Sequence, residues 1–346
     1  MKSFWQELPK PFFAMAPMAD VTDVAFRALV AKRCKPDIFW TEFVSADGLY
    51  HTREIAKMKD EENPLMRDLQ FTEEQRPIVA QIFSSKPEMI AYATKLVVEL
   101  GPTHFAQCGG RGFDGVDINM GCPDRAIEKQ GAGAALVKNS ALAQELILAA
   151  KKAVQELPKS SYRTDLVVPV SVKTRVGYNE ESLDEWLPAL LSANPAAITL
   201  HLRTRKEMSL VPAGWELMKK AVEIRNKINP NVLLIGNGDV QDLEDARTKA
   251  VETGCDGIML GRAMFGNPWV FAGRKIEDTP LAEKLAALVE LAHNFEKLSP
   301  PKNFAILKKH IKAFVAGFAG AADLRVRLMS AHSASELEAI IAQNKV

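Results

Sequence analysis

A chain of 346 residues with 47% hydrophobic and 25% charged residues has the composition of a globular protein, neither disordered nor fibrous. Its 44 Lys and Arg against 43 Asp and Glu leave a net charge of +1, which excludes a global field for phosphate or anionic lipid, so a polyanionic partner must meet a local patch. The cysteines Cys34, Cys108, Cys122 and Cys255 form no C-x-x-C pair, which argues against a disulfide framework and a structural zinc site and favours a reducing cytoplasm.

In chain order, Met1 to Pro11 carries Glu7 and two prolines without an apolar run, so no signal peptide is expected there. No stretch has the length and apolarity of a membrane span. Short apolar runs then alternate with stretches of helical period, the signature of repeated βα units. Strands are expected at Phe12 to Met18, Asp37 to Val44, Pro77 to Phe83, Gly115 to Gly121, Val168 to Gly177, Ala196 to Arg203, Val232 to Val240 and Asp256 to Ala263. Helices are expected at Asp23 to Arg33, Lys86 to Leu100, Ser140 to Leu157, Leu183 to Ser192, Gly214 to Lys227 and Val240 to Thr253. The segment Gly101 to Gly112, with Cys108 and Arg111, reads as an inserted surface loop. Beyond Pro268 to Gly273 the strand-like runs stop, and Leu281, Leu285, Leu288 and Leu291 keep a helical period. The expected fold is an α/β TIM barrel of eight βα units, residues 1–275, followed by a small C-terminal helical domain, residues 276–346. A monomer is the default, with no stable protein partner.

A barrel of this kind keeps its chemistry at the carboxyl ends of its strands. Those ends are polar here: Ala16-Pro17-Met18 after the first, Gln81 on the third, Asn119 to Pro123 after the fourth, Lys173-Thr174-Arg175 on the fifth, His201 on the sixth. The seventh and eighth end in Gly236-Asn237-Gly238-Asp239 and Gly261-Arg262, where barrels bind phosphate through backbone N–H groups. Those glycines equally make ordinary tight turns. Lys173 has the charge to hold the N1 and O2 edge of a reduced flavin, and Gln81 the amide to read the same ring. Alone, each also suits a solvated strand end. A free cysteine is more often a small buried hydrophobe, which suits Cys34 and Cys255. Cys122 lies between Gly121 and Pro123 in a loop at the mouth, and a thiol with a reference pKa of about 8.5 is a proton donor at neutral pH.

These words resemble the tRNA-dihydrouridine synthases of the bacterial type: Ala16-Pro17-Met18-Ala19-Asp20-Val21-Thr22-Asp23 with Phe26-Arg27, Asp117-Ile118-Asn119-Met120-Gly121-Cys122-Pro123, and Gly131-Ala132-Gly133-Ala134. Val172 to Arg175, Gly236 to Asp239, Gly261-Arg262-Ala263 and Lys308-Lys309-His310 extend the resemblance over nearly the whole chain. It implies FMN held by Ala16, Pro17, Met18, Gln81, Lys173 and His201, with its phosphate at Asn237, Gly238, Asp239, Gly261 and Arg262. It also implies NADPH or NADH as reductant, and Asn119 and Arg175 against a uracil flipped from tRNA. Hydride would go to C6 and the Cys122 proton to C5. This chain has Leu202 where the family usually has Gly, and the 101–112 insertion is atypical.

Between Lys302 and Arg327 the charges are Lys302, Lys308, Lys309, Lys312, Arg325 and Arg327 against Asp323, with His310 beside them. Such a run is either a solvated helix face or a surface that positions RNA through its phosphates. The resemblance favours tRNA, with Lys308 and Lys309 as its contacts. Two other readings remain: an FMN barrel oxidoreductase acting on a small-molecule pyrimidine, resembling dihydroorotate or dihydropyrimidine dehydrogenases, and a catalytically inactive tRNA-binding protein. No metal site is expected.

Overall fold

A computed structural model describes residues 3–100, 112–158 and 167–343. The insertion proposed at 101–112, with Cys108 and Arg111, lies outside them except for Gly112. Eight parallel strands, β1 (Phe12–Met15), β2 (Phe39–Ser45), β3 (Ile78–Phe83), β4 (Gly115–Met120), β5 (Val170–Arg175), β6 (Ala197–His201), β7 (Leu233–Asn237) and β8 (Gly257–Leu260), form one sheet. Its order is β1-β8-β7-β6-β5-β4-β3-β2. The ring is closed between β1 and β2 by a parallel bridge, Ala14 to Ile38, where Met15 N–H donates to Ile38 O at 3.1 Å and Asp37 N–H to Phe13 O at 2.9 Å. This is the TIM-barrel architecture that the alternating pattern predicts.

Six of the eight strands stop short of their expected ends, whereas β3 ends at the expected Phe83 and β2 runs one residue further, to Ser45. β1 ends at Met15, so Ala16, Pro17 and Met18 form the loop that follows it, and β5 and β6 end at Arg175 and His201. Pairing ceases where strands splay at the mouth, while the sequence there still reads as strand.

Alternation divides the core into two layers. Phe12, Ala14 and Ala16 point inward with Ile38, Trp40, Val79, Ile235 and Met259, whereas Met15 joins the layer beneath the helices. A single turn, Phe4–Gln6, plugs the amino-terminal end of the barrel: the Trp5 ring lies 4.8 Å from Phe4, 5.6 Å from Phe12 and 6.1 Å from Trp40. The six expected helices are present as Val24–Cys34, Pro87–Glu99, Ser140–Glu156, Leu183–Ser192, Glu216–Ile228 and Leu243–Thr253. The β2-to-β3 connection adds short helical pieces, Ala46–Tyr50 and Pro64–Asp68, that the sequence did not reveal.

After the barrel come the helices Leu281–Glu296, Lys308–Phe314, Ala321–Met329 and Ala334–Gln343. Their apolar faces are continuous with the barrel core. The first packs on Val24–Cys34, where Lys32 and Arg33 both pair with Glu290, at 2.9 and 2.8 Å. Among the described residues no helix is long and apolar enough to cross a membrane.

Candidate active site

Two structures meet at the carboxyl mouth of the barrel. The first is a pocket of about 250 Å³ lined by Ala16, Pro17, Met18, Lys173, His201, Arg203, Asn237, Gly238, Asp239, Gly261 and Arg262, among others. It gathers ten of the sequence-predicted residues from strands 1, 5, 6, 7 and 8. A larger cavity of about 520 Å³ lies at the amino-terminal end, lined by Trp5, Lys10, Pro169 and Pro195. Chemistry belongs at the opposite end of such a barrel, and the convergent charges are in the smaller pocket.

The pocket is cationic. Lys173 is half-buried and donates to Asn237 Oδ1 at 3.2 Å, and Asn237 Nδ2 in turn donates to Met259 O at 2.9 Å. Burial, reinforced by the neighbouring Arg175, lowers the Lys173 ammonium to about 8. His201 is pushed far below its ordinary value by burial and then by Lys173, Arg175, Arg203 and Arg262, so its ring is neutral. Arg203, two residues beyond His201, is 2% exposed and lies in the wall, with Nη1 3.3 Å from His201 Nε2.

Asp239 is the one carboxylate in this wall, and both Arg203 and Arg262 pair with it. The Asp239 side chain is thus a brace for two guanidinium groups, one buried and one largely exposed. Gly238 has φ 136°, and a Cβ there would sit 2.7 Å from Ala213 Cβ and 3.5 Å from the His201 ring. Only glycine leaves this wall open.

The second structure is a hydrogen-bonded chain from the barrel interior to the cysteine loop. Buried Asp117 accepts from Ser171 Oγ at 2.6 Å and from Gln81 Nε2 at 2.7 Å. Gln81 Oε1 accepts from Asn119 Nδ2 at 3.1 Å, and Asn119 Oδ1 accepts from the N–H groups of Gly121 at 3.1 Å and Cys122 at 2.9 Å. Asn119 is therefore the clamp of the Cys122 loop, and its carbonyl oxygen faces that backbone. An Asn followed by Gly two residues later is an Asx-turn signal, legible in Asn119-Met120-Gly121-Cys122.

From the other side, Ala134 N–H donates to Cys122 O at 2.9 Å across a turn where Gly133 has φ 61°. Cys122 itself is half-buried beside Phe83, Ile127 and Ala132. Burial raises its thiol above the ordinary value, against the lowering effect of Arg175 and Lys173, so the group is protonated at neutral pH. Arg175 donates to Gly121 O at 2.8 Å and to Thr204 O and Met208 O at 3.0 Å each, tying the cysteine loop to the loop after β6.

The two structures share a rim: Asn119 pairs in register with Lys173, and Arg175 with His201. The remaining predicted contacts lie away from the pocket. Lys308 is half-buried on its helix, Lys309 is exposed with Nζ 3.4 Å from Asp20, and His310 is buried between the rings of Phe26 and Phe265. The basic run needs one further correction: Lys302 is only 3% exposed and is enclosed by carboxylates, so it belongs to no surface patch.

The sequence matches the family model described as dihydrouridine synthase (Dus) over residues 14–345. A probable tRNA-dihydrouridine synthase of Staphylococcus aureus (strain COL) is 36% identical over 98% of this chain and 95% of its own length. Probable tRNA-dihydrouridine synthase 2 of Bacillus subtilis (strain 168) is 37% identical over 98% and 96%. Among solved structures, a 2-naphthoyl-CoA reductase aligns with a TM-score of 0.50 at 10% identity, covering 77% of this chain and 50% of that one, a likeness of fold alone.

Proposed function

The chain belongs to the dihydrouridine synthase family, and from that premise we propose that it reduces the C5=C6 bond of a uridine in tRNA to 5,6-dihydrouridine, with FMN as cofactor and NADPH or NADH as reductant. The observation that carries the reading is the shared rim: a cationic, glycine-walled pocket beside a clamped loop that presents a protonated thiol. Membership of the family rests on the full-length match.

The residues present fit a flavin mononucleotide. A wall opened by Gly238 and carrying Arg203 and Arg262 suits a phosphate, with Asn237, Gly238, Gly261, Arg262 and the backbone of Asp239 as its holders, the Asp239 carboxylate staying on the guanidinium groups. Ala16, Pro17, Met18, Lys173 and His201 line the rest of the pocket for the ring, with Gln81 behind them. Hydride transfer to C6 of the pyrimidine is the chemistry that a reduced flavin supplies in such a site.

The protein contributes three things. Lys173 places a positive charge where negative charge develops on the ring system. Arg175 and Asn119 form the floor on which a flipped uracil rests; taking the base out of its stack costs a few kcal/mol. Cys122 Sγ–H donates its proton to C5, and the Asn119 clamp and the Gly133 turn hold the thiol in place for it. The division into a catalytic unit, 1–275, and a tRNA-binding helical unit, 276–346, acting as a cytoplasmic monomer, is part of the same proposal.

The test is digestion and mass spectrometry of unmodified tRNA incubated with the purified protein and NADPH, with a visible spectrum of the protein. A gain of two hydrogens at one or more uridines by a yellow protein is expected. A yellow protein that leaves every tRNA unchanged but reduces a free pyrimidine moves the assignment to a small-molecule oxidoreductase.

A further inference from the structure

A buried ionic cluster ties the helical tail to the loop that follows β1. Lys302 reaches from the tail with its side chain 3% exposed, and Nζ donates to Glu42 Oε2 at 2.7 Å. Asp68 Oδ1 is 3.2 Å away and Asp20 Oδ1 4.0 Å. Glu42, 5% exposed, occupies the bulge where the β2–β3 register shifts between Trp40 and Phe43. Its other oxygen accepts from the N–H of Asp20, a residue at φ 57°.

Asp20 belongs to a turn in which Val21 and Thr22 N–H groups both donate to Met18 O, at 3.1 and 3.0 Å, while Met18 N–H donates to Thr22 Oγ1 at 2.9 Å. Met18 and Pro17 line the pocket. The tail is latched alongside, since Gln70 Nε2 donates to Ser299 O at 2.7 Å and Arg67 to Pro301 O at 3.2 Å. One continuous path of contacts therefore runs from tail to Lys302, Glu42, Asp20 and Met18.

We propose that Lys302 and Glu42 are positioning residues for the cofactor pocket: the tail lysine neutralises a carboxylate whose second oxygen holds the Asp20 turn, and so fixes Pro17 and Met18 against the bound flavin. The inference rests on the flavin reading above. Without Lys302, Glu42 is a buried carboxylate near Asp20, Asp23 and Asp68, with the enclosed Arg27 as its counter-charge among the described residues. An unpaired buried carboxylate is relieved by taking up a proton or by rearrangement, and either change withdraws the charged acceptor from the half-exposed, positive-φ Asp20 turn.

The experiment measures FMN affinity of the full chain by flavin fluorescence for wild type, Lys302→Met, Lys302→Arg and, as an equal change at an exposed tail position, Lys297→Met. Lys302→Met is expected to weaken FMN binding at least about tenfold, because breaking a buried pair strands its partner. Lys302→Arg restores most of the affinity, and Lys297→Met leaves it unchanged. If Lys302→Met does not fold, Glu42→Gln leaves one acceptor oxygen for two donors, Lys302 Nζ and the Asp20 N–H, without a change of volume, and is expected to weaken FMN binding as well. Wild-type affinity in the Met variant, or equal losses in Met and Arg variants, overturns the positioning role. A wild-type chain that takes up no FMN overturns the flavin reading and this inference with it.

Discussion

At Cys122 the physical question is which form the thiol takes. Burial holds it protonated, and Arg175 and Lys173 do not reverse that, so the group acts as an acid. Cys122→Ala is expected to keep its flavin and to oxidise NADPH normally, with dihydrouridine formation lowered by about 10²–10⁴, the usual worth of a positioned general acid. Full product formation by that variant removes the thiol from the mechanism. Lys173 carries its charge below about pH 8 and loses it above. The affinity for FMN should therefore fall as pH rises through about 8, and the step should vanish in Lys173→Met; titrating flavin fluorescence across pH 6 to 10 checks both. Asp117 tests the chain behind the cysteine. In Asp117→Ala the acceptor is lost and Gln81 Nε2 is buried without its partner, so the amide is free to turn and misplace its bond to Asn119. A misplaced hydrogen bond of this kind costs about 1–3 kcal/mol. Product formation should drop about tenfold or more with the flavin retained, and the rate of Cys122 alkylation should change; an unaltered alkylation rate means that the chain does not hold the loop. Asp117, Gln81 and Asn119 were legible as polar residues in an otherwise apolar setting. Their directions were not, because whether an amide faces substrate or backbone depends on residues some 40 positions away.

Among elements, all eight strands were legible because each apolar run is short and is broken at its end or within a few residues by Gly, Asn, Asp or Pro. The overrun at six of the eight strand ends has one cause: the mouth residues there keep strand-like composition after they leave the ladder. The helical pieces between β2 and β3 escaped because Ala46–Tyr50 contains Gly48 and buries only Ala46 and Leu49, too few positions to show a period. The loop after β7 shows what composition does reveal. Gly238 reads equally as a turn glycine or an anion cradle, and its φ of 136° with a wall 2.7 Å from any Cβ shows that it is required for shape. Gly238→Ala should cost about 1–3 kcal/mol of backbone strain. The clash is with Ala213 Cβ, and the turn must shift beside the His201 ring and Arg203 that line the pocket, so FMN affinity should fall more than thermal stability does. A variant with a lowered melting temperature but unchanged flavin affinity would falsify the assignment of this turn to the cofactor.

For the molecule as a whole, a net charge of +1 leaves tRNA affinity to local charge, and the structure changes which charges are available. The run from Lys302 to Arg327 reads in sequence as one basic surface. Yet Lys302 turns inward to a carboxylate 260 residues earlier, and Arg325 spends a hydrogen bond on Val315 O at 2.8 Å. No local pattern reports such a long-range partner. Lys308, Lys309 and Lys312 remain at or near the surface, and Lys309 is partly committed to Asp20. Reversal of Lys309 sets a carboxylate against Asp20 at the edge of the cofactor loop, so its effect mixes two causes. Lys308→Glu does not. It should weaken tRNA binding uniformly across tRNA species, leave FMN affinity as it is, and lower the salt dependence of binding by about one phosphate contact. Lys309→Ala should weaken tRNA binding by less, since part of its charge is already compensated by Asp20. Binding measured between 50 and 200 mM salt separates these effects. If the salt slope of Lys308→Glu equals that of wild type, the tRNA phosphates lie elsewhere on the rim, and the helical tail serves the barrel rather than the RNA.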